Sequence, residues 1–142
     1  MDAKHSRCVF LLFGLMIAAQ VCYSQVHTTK YDFVVSPDGS GNFKTIQEAI
    51  NAVPDYRKNF TTIFIKNGTY KEKLILAASK TNVKFIGQDT EKTILTYDDF
   101  ASKKNRFGEE IGTTGSTSFF VFGDGFVAEN ITFENSSGPV GQ

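Results

Sequence analysis

Two periodicities divide the chain beyond residue 30. At Ile46, Ala49, Ile50 and Val53 apolar residues recur at three- and four-residue spacing, which sets them on one face of an α-helix. Thr45, with Glu48 three positions later, forms a capping-box pair able to satisfy free amides at a helix start. Pro54 stops the pattern, because proline lacks an amide hydrogen and crowds the preceding turn. The spacing predicts a helix over 45–53 with its stripe facing a core. The other runs are short and β-prone: 31–35, 62–66, 70–76, 82–86, 93–97, 116–122 and 126–134. Most end in turn residues, such as Asn67-Gly68, Gly87, Asp98-Asp99, Gly123-Asp124-Gly125 and Asn135 through Pro139. Pro37 through Asn42 is a further turn cluster ahead of the helix.

Many short strands and one helix fit two architectures, a sandwich and a parallel β-solenoid. Val83-Lys84-Phe85-Ile86-Gly87 is echoed by Val121-Phe122-Gly123 and by Ile131-Thr132-Phe133, and Asn82 and Asn130 each precede such a segment. Strand groups return every twenty-odd residues, a spacing expected of stacked coils. In a solenoid the helix at 45–53 is expected to cover the open edge of the first coil. A stack stopping at Gln142 would leave an apolar cross-section and unpaired strand edges, so the chain is expected to be the front part of a longer protein.

The first residues read differently. Lys4 and Arg7 precede an apolar run over 9–19, followed by Cys22-Tyr23-Ser24. The run falls short of the roughly 20 residues that span a bilayer. The pattern predicts a secretory signal peptide over 1–24, cleaved after Ser24, and so an extracellular or periplasmic protein. Cleavage would remove both cysteines, Cys8 and Cys22, together with His5, and leave His27 near a terminus. A Ser-His-Asp site needs a held imidazole and zinc favours Cys and His ligands, so any hydrolytic chemistry must fall to carboxylates. The 142 residues carry no net formal charge, which argues against a nucleic-acid partner. With 41% hydrophobic residues and fourteen Phe there is material for a core.

Several spaced motifs, in order, resemble the pectin methylesterases. They are Val35-Ser36-Pro37-Asp38-Gly39-Ser40-Gly41-Asn42-Phe43-Lys44-Thr45-Ile46-Gln47-Glu48-Ala49-Ile50, Ile65-Lys66-Asn67-Gly68-Thr69-Tyr70-Lys71-Glu72-Lys73, and Gly123-Asp124-Gly125-Phe126 through Asn130-Ile131-Thr132-Phe133-Glu134-Asn135 to Gly138-Pro139. The likeness runs from Tyr31 to Gln142. The signal-like start and the insertion at 98–112 look more like the bacterial branch than the plant one. The resemblance implies a mainly β fold, a right-handed parallel β-helix with one capping helix, occupying 25–142. It implies an exported, monomeric esterase that removes methyl groups from polygalacturonate esters in cell-wall pectin, with no metal or organic cofactor. One Asp attacks the ester carbonyl, a second acts as acid and then base, Gln side chains stabilise the oxyanion, and an Arg holds the nucleophile.

By the same resemblance Gln142 stands where the family has its first oxyanion-donating and substrate-contacting Gln, and Thr113 lies near its substrate-contacting Thr. The family's Asp pair, second Gln and Arg fall beyond Gln142, so this chain by itself is expected to be inactive. Asp98, Asp99, Glu109, Glu110 and Asp124 read as turn or loop positions rather than catalytic groups. Lys103, Lys104 and Arg106 read as a solvated loop, with contact to pectin carboxylates as the alternative. Phe119, Phe120 and Phe122 read as core, with Phe119 on the opposite face from the other two. The four Asn-x-Ser/Thr sequons at Asn59, Asn67, Asn130 and Asn135 carry no weight. The competing reading is a non-catalytic β-solenoid that binds acidic polysaccharide. A pectate lyase relative would need calcium-binding Asp clusters, which the sequence does not show.

Overall fold

A computed structural model describes residues 31–141. The expected signal peptide, residues 25–30 and Gln142 lie outside the described residues. The chain forms β1 (Phe33–Val35), α1 (Ile46–Ala52), β2 (Thr61–Ile65), β3 (Gly68–Lys71), β4 (Leu74–Leu76), β5 (Val83–Gly87), β6 (Thr93–Tyr97), α2 (Gly112–Gly115), β7 (Phe119–Val121), β8 (Val127–Glu129), β9 (Thr132–Asn135) and a closing 3-10 turn at Gly138–Gly141. Every strand pairing is parallel. The strands stack as three sheets, β1-β2-β5-β8, β3-β6-β9 and β4-β7. Each full turn of chain visits the three sheets in order, which is a parallel β-helix. The solenoid expectation holds and the sandwich does not.

Alternation builds the interior. In β2 and β5 every second residue is buried, so Ile63, Ile65, Val83 and Phe85 point inward. The register sets Phe33 beside Ile63 and Ile63 beside Phe85, so apolar side chains stack coil upon coil. Higher in the stack Phe119 lies between Phe85 and Phe133, with ring centroids 5.9 and 6.0 Å away. These three rings come from three different sheets and form an aromatic column up the lumen. Phe126 meets Phe85 and Phe119 edge-on.

Two expected strands are each two. The run read over 70–76 breaks at Glu72 and Lys73 into β3 and β4, and the run over 126–134 breaks into β8 and β9. Asn130 makes the second corner with a φ of 55°, a left-handed conformation that asparagine tolerates better than most residues. Local alternation cannot reveal such a corner, because it persists on either side. The sequence echoes also prove not to be equivalent positions: Val83–Gly87 is β5 of the first sheet, Val121 ends β7 of the third, and Ile131 leads into β9 of the second. What repeats is the strand-and-corner pattern. The coil length itself varies, since Thr61 pairs with Val83 but Lys84 pairs with Val127, about twice as far along.

The helix over 45–53 forms as expected, with Thr45 and Glu48 exchanging both bonds of the capping box. Ile46, Ala49, Ile50 and Val53 are all buried. It covers the first coil's open edge through side-chain chemistry. The Gln47 amide accepts from the Ile75 N–H at 2.8 Å and donates to the Ile75 carbonyl at 3.1 Å, replacing a missing strand beside β4. Asn42 does the same for β1: its side chain accepts from the Val34 N–H at 2.8 Å, while its own N–H donates to the Val34 carbonyl at 2.7 Å. Glu72 accepts the Ile46 and Gln47 N–H groups at 2.9 and 3.0 Å, and Lys80 donates to the Val53 carbonyl at the other end of α1.

Gly87 tests how tightly the coils are stacked. A Cβ there would overlap the Asn130 carbonyl and the Ile131 side chain, and β5 is laddered on both sides. Gly87→Ala is expected to lower stability in urea unfolding by about 1–3 kcal/mol. An unchanged midpoint would show that the corner at Asn130 yields.

Candidate functional site

The chain leaves the coil after Tyr97 and rejoins the ladder at Phe119. The excursion over 98–118 is the largest departure from the coil among the described residues, and its base is a charge cluster. Lys71 pairs with Asp98 at 2.7 Å. Lys73 pairs with Asp99 at 2.6 Å, and Lys103 reaches Asp99 at 2.8 Å and Asp98 at 3.5 Å. The Tyr97 ring lies 5.8 Å from both the Lys73 and the Lys103 ammonium, within cation–π range. Ile111 and Gly112 donate their N–H groups to the Lys103 and Ala101 carbonyls, at 2.9 Å each, closing the excursion on itself. Asn135 of β9 donates to the Asp99 carbonyl at 3.1 Å.

Asp99 is therefore more than the turn residue expected from sequence. It is 7% exposed. Burial opposes its charge, but hydrogen bonds from Lys103 and Lys73 hold the carboxyl below the ordinary value. A hydrogen bond from Lys71 lowers Asp98 as well, and one to Asp99 raises Lys103. Lys103 is thus a tie within the loop as well as a partly solvated charge, its side chain 38% exposed. Arg106 lies over the Phe107 ring at 4.7 Å, and Lys104 sits in a short backbone bridge to Glu110. Glu109 accepts from the Asn105 side chain at 3.0 Å, and the Asp124 carbonyl accepts the Asn82 N–H at 2.8 Å, which are loop and corner roles.

Thr113 is exposed in α2, on the returning limb of the excursion. Its carbonyl accepts from the Ser116 hydroxyl at 2.8 Å. Gln142, the other residue singled out, lies outside the described residues, so the two are not brought together. Of the three phenylalanines, only Phe119 joins the core. Phe120 is half-buried, and Phe122 is 61% exposed with its ring 5.9 Å from that of Phe120. The face assignment was right and the burial was not: β7 has its outer face open to solvent, so alternation sends Phe120 and Phe122 outward.

A cavity of about 470 Å³ opens inside the coil between β4, β6, β7 and β9, lined by Leu74, Leu95, Phe119 and Phe133 among others. Its walls are mainly apolar, and the Glu72 carboxylate at its edge is already bound to α1. The cavity is open on the side of Phe133, which is 48% exposed, and the Thr96 hydroxyl in its lining is buried without a partner. Among the described residues no group of three or more His, Cys, Asp or Glu is placed to hold a metal ion, and no helix is long and apolar enough to cross a membrane.

The ion cluster carries a pH signature. Asp98 and Asp99 are lowered from 3.8, so the stability they contribute is present above that value and lost as pH falls through their folded values. Urea unfolding between pH 6 and pH 3 is expected to show falling stability, and Asp99→Asn to flatten that acid limb while lowering stability at pH 6. Parallel limbs for the two proteins would remove Asp99 from the account.

A family model described as Pectinesterase matches residues 32–142. A pectinesterase/pectinesterase inhibitor of Prunus persica is 38% identical over 115 residues, covering 81% of this chain and 21% of the relative. A probable pectinesterase/pectinesterase inhibitor of Arabidopsis thaliana is 40% identical over 112 residues, covering 79% and 19%. Among solved structures, pectin methylesterase from carrot matches with a TM-score of 0.69 at 36% identity, over 81% of this chain and 34% of that one. The enzyme from Erwinia chrysanthemi matches at 0.71 and 29%, over 78% and 32%. A pectin methylesterase in complex with a hexasaccharide also matches, at 0.71 and 30%, with the same coverage. These identities lean toward the plant proteins, against the bacterial leaning of the insertion. The chain spans about a fifth of the length of these curated relatives and about a third of the solved structures. With its coil matched in sequence from end to end of the described region and in shape by solved pectin methylesterases, the chain belongs to the pectinesterase family.

Proposed function

We propose that the full-length protein is an exported pectin methylesterase. It hydrolyses methyl esters of polygalacturonate in cell-wall pectin, releasing methanol and leaving free carboxylates. The observation that carries this reading is the family match across residues 32–142, supported by the parallel coil and by identities of 36–40% to carrot, peach and Arabidopsis proteins. Residues 1–24 act as the export signal, and the enzyme works as a monomer without metal or organic cofactor.

Within that reading the described residues form scaffold and rim. Thr113 meets substrate from α2. Gln142 donates an amide hydrogen to the oxyanion that develops as an aspartate attacks the ester carbonyl. The attacking carboxylate, the second Asp, the second Gln and the Arg are supplied beyond Gln142, as the resemblance requires. The released methoxide takes its proton from the second Asp, and water then cleaves the acyl-enzyme.

The test is methanol release from esterified pectin by the full-length protein. Turnover is expected, with Gln142→Ala lowering kcat by about 100-fold, the loss typical of one oxyanion donor, and Thr113→Ala raising KM. Retention on polygalacturonate with no methanol from the full-length protein would favour the non-catalytic, polysaccharide-binding solenoid.

A further inference from the structure

Lys73 touches the 98–118 excursion at both ends. Its ammonium donates to Asp99 Oδ2 at 2.6 Å, where the chain leaves β6, and to the Gly115 carbonyl, where the chain returns toward β7. The Tyr97 and Phe120 ring centroids lie 5.8 and 5.9 Å from it, so two aromatic faces flank the bridge. Lys73 sits in the corner between β3 and β4, anchored by the ladders on either side. It is therefore a fixed post against which a long loop is tied.

The tie matters for α2. The N–H of Gly112 bonds to Ala101, the N–H of Ser116 to Gly112, and the Ser116 hydroxyl to Thr113. All of these bonds lie inside the excursion. Among the described residues the Lys73 bond to Gly115 is the one hydrogen bond from the coil to the α2 turn. Without it, Asp99 keeps Lys103 as its cationic partner, and α2 is held to the coil indirectly, by the Gly112 bond to Ala101 on one side and by Ser118, whose carbonyl accepts the Leu74 N–H, on the other.

We propose that Lys73 is a positioning residue. By bridging Asp99 and the Gly115 carbonyl it sets α2, and with it Thr113, at the substrate-facing rim. This rests on reading the rim as a site for methylated polygalacturonate. Lys73 does not meet substrate; it acts through the turn.

The experiment compares Lys73→Met and Lys73→Arg in the full-length protein. For Lys73→Met, amide exchange at Gly112 and Ser116 is expected to quicken about tenfold or more, as local opening becomes easier. KM for methylated oligogalacturonate should rise about tenfold, matching the loss of one charged hydrogen bond, with kcat within about twofold. Lys73→Arg keeps a cation able to reach both partners, and should restore KM. If Lys73→Met does not fold, Asp99→Asn weakens the same bridge and should move KM in the same direction. Wild-type KM in Lys73→Met, whether or not exchange quickens, overturns the proposal, as does a fall in kcat at constant KM. If wild type releases no methanol, the esterase reading fails separately. Affinity for a polygalacturonate oligomer then replaces KM: weaker binding by Lys73→Met supports the positioning role, and equal binding or none by wild type overturns it.

Discussion

A parallel strand can satisfy its backbone only through neighbours on both sides, and a stack of coils has a first coil. The free N–H and C=O groups along that coil are the constraint the rest of the structure answers. Leaving them bare invites pairing with another chain, and burying them unpaired is costly. Two residues meet it directly: Asn42 at β1, through its side-chain oxygen and its own N–H, and Gln47 at β4, through one side-chain donor and one acceptor, while Glu72 offers two acceptors to the first amides of the covering helix α1. The helix is held at its entry by Glu72, at its exit by Lys80 and along its side by Gln47. Its buried stripe then seals the lumen as a consequence of where those polar ends are fastened.

The same ladder that needs capping places the charges. Lys71 pairs in register with Thr96, so two positions on Lys73 comes level with Asp98 and Asp99, where the chain departs. An ion pair on an exposed strand face contributes little. This one is different in kind, because Asp99 is buried and shared by two lysines, with a tyrosine ring between them. A long loop pays a small extra entropic cost for its length and gains definition only where it is tied. Here the ties concentrate at its base.

Much of this was legible in the sequence where the physics is local. The α1 stripe, its capping box and its proline stop depend on residues within a few positions of each other, and the structure reproduces them. The family motifs gave the coil. Corners were not legible, because alternation continues across Asn130 and across Glu72-Lys73 while the chain changes sheet. The charge cluster was not legible either: Lys73 and Asp99 are far apart in sequence, and only the register brings them together. Phe122 was misread because alternation assigns a side chain to a face, and whether that face is covered is a property of the assembled coil.

The division between coil and excursion bears on the proposed ester hydrolysis. Catalysis by developing-charge stabilisation needs donors fixed before the reaction begins, and a backbone laddered on both sides provides that for residues on or beside the strands. Substrate selection needs adaptable groups at the rim, which a loop provides. The two demands conflict unless the loop is mobile at its tip and fixed at its stem. The arrangement at Asp98, Asp99 and Gly115 supplies the fixed stem, since every coil-derived tie falls there, while the tip is held by its own Asn105 and Glu109 bonds and leaves Phe107 71% exposed. The excursion can then vary in length and composition while the register of the strands beneath it is kept.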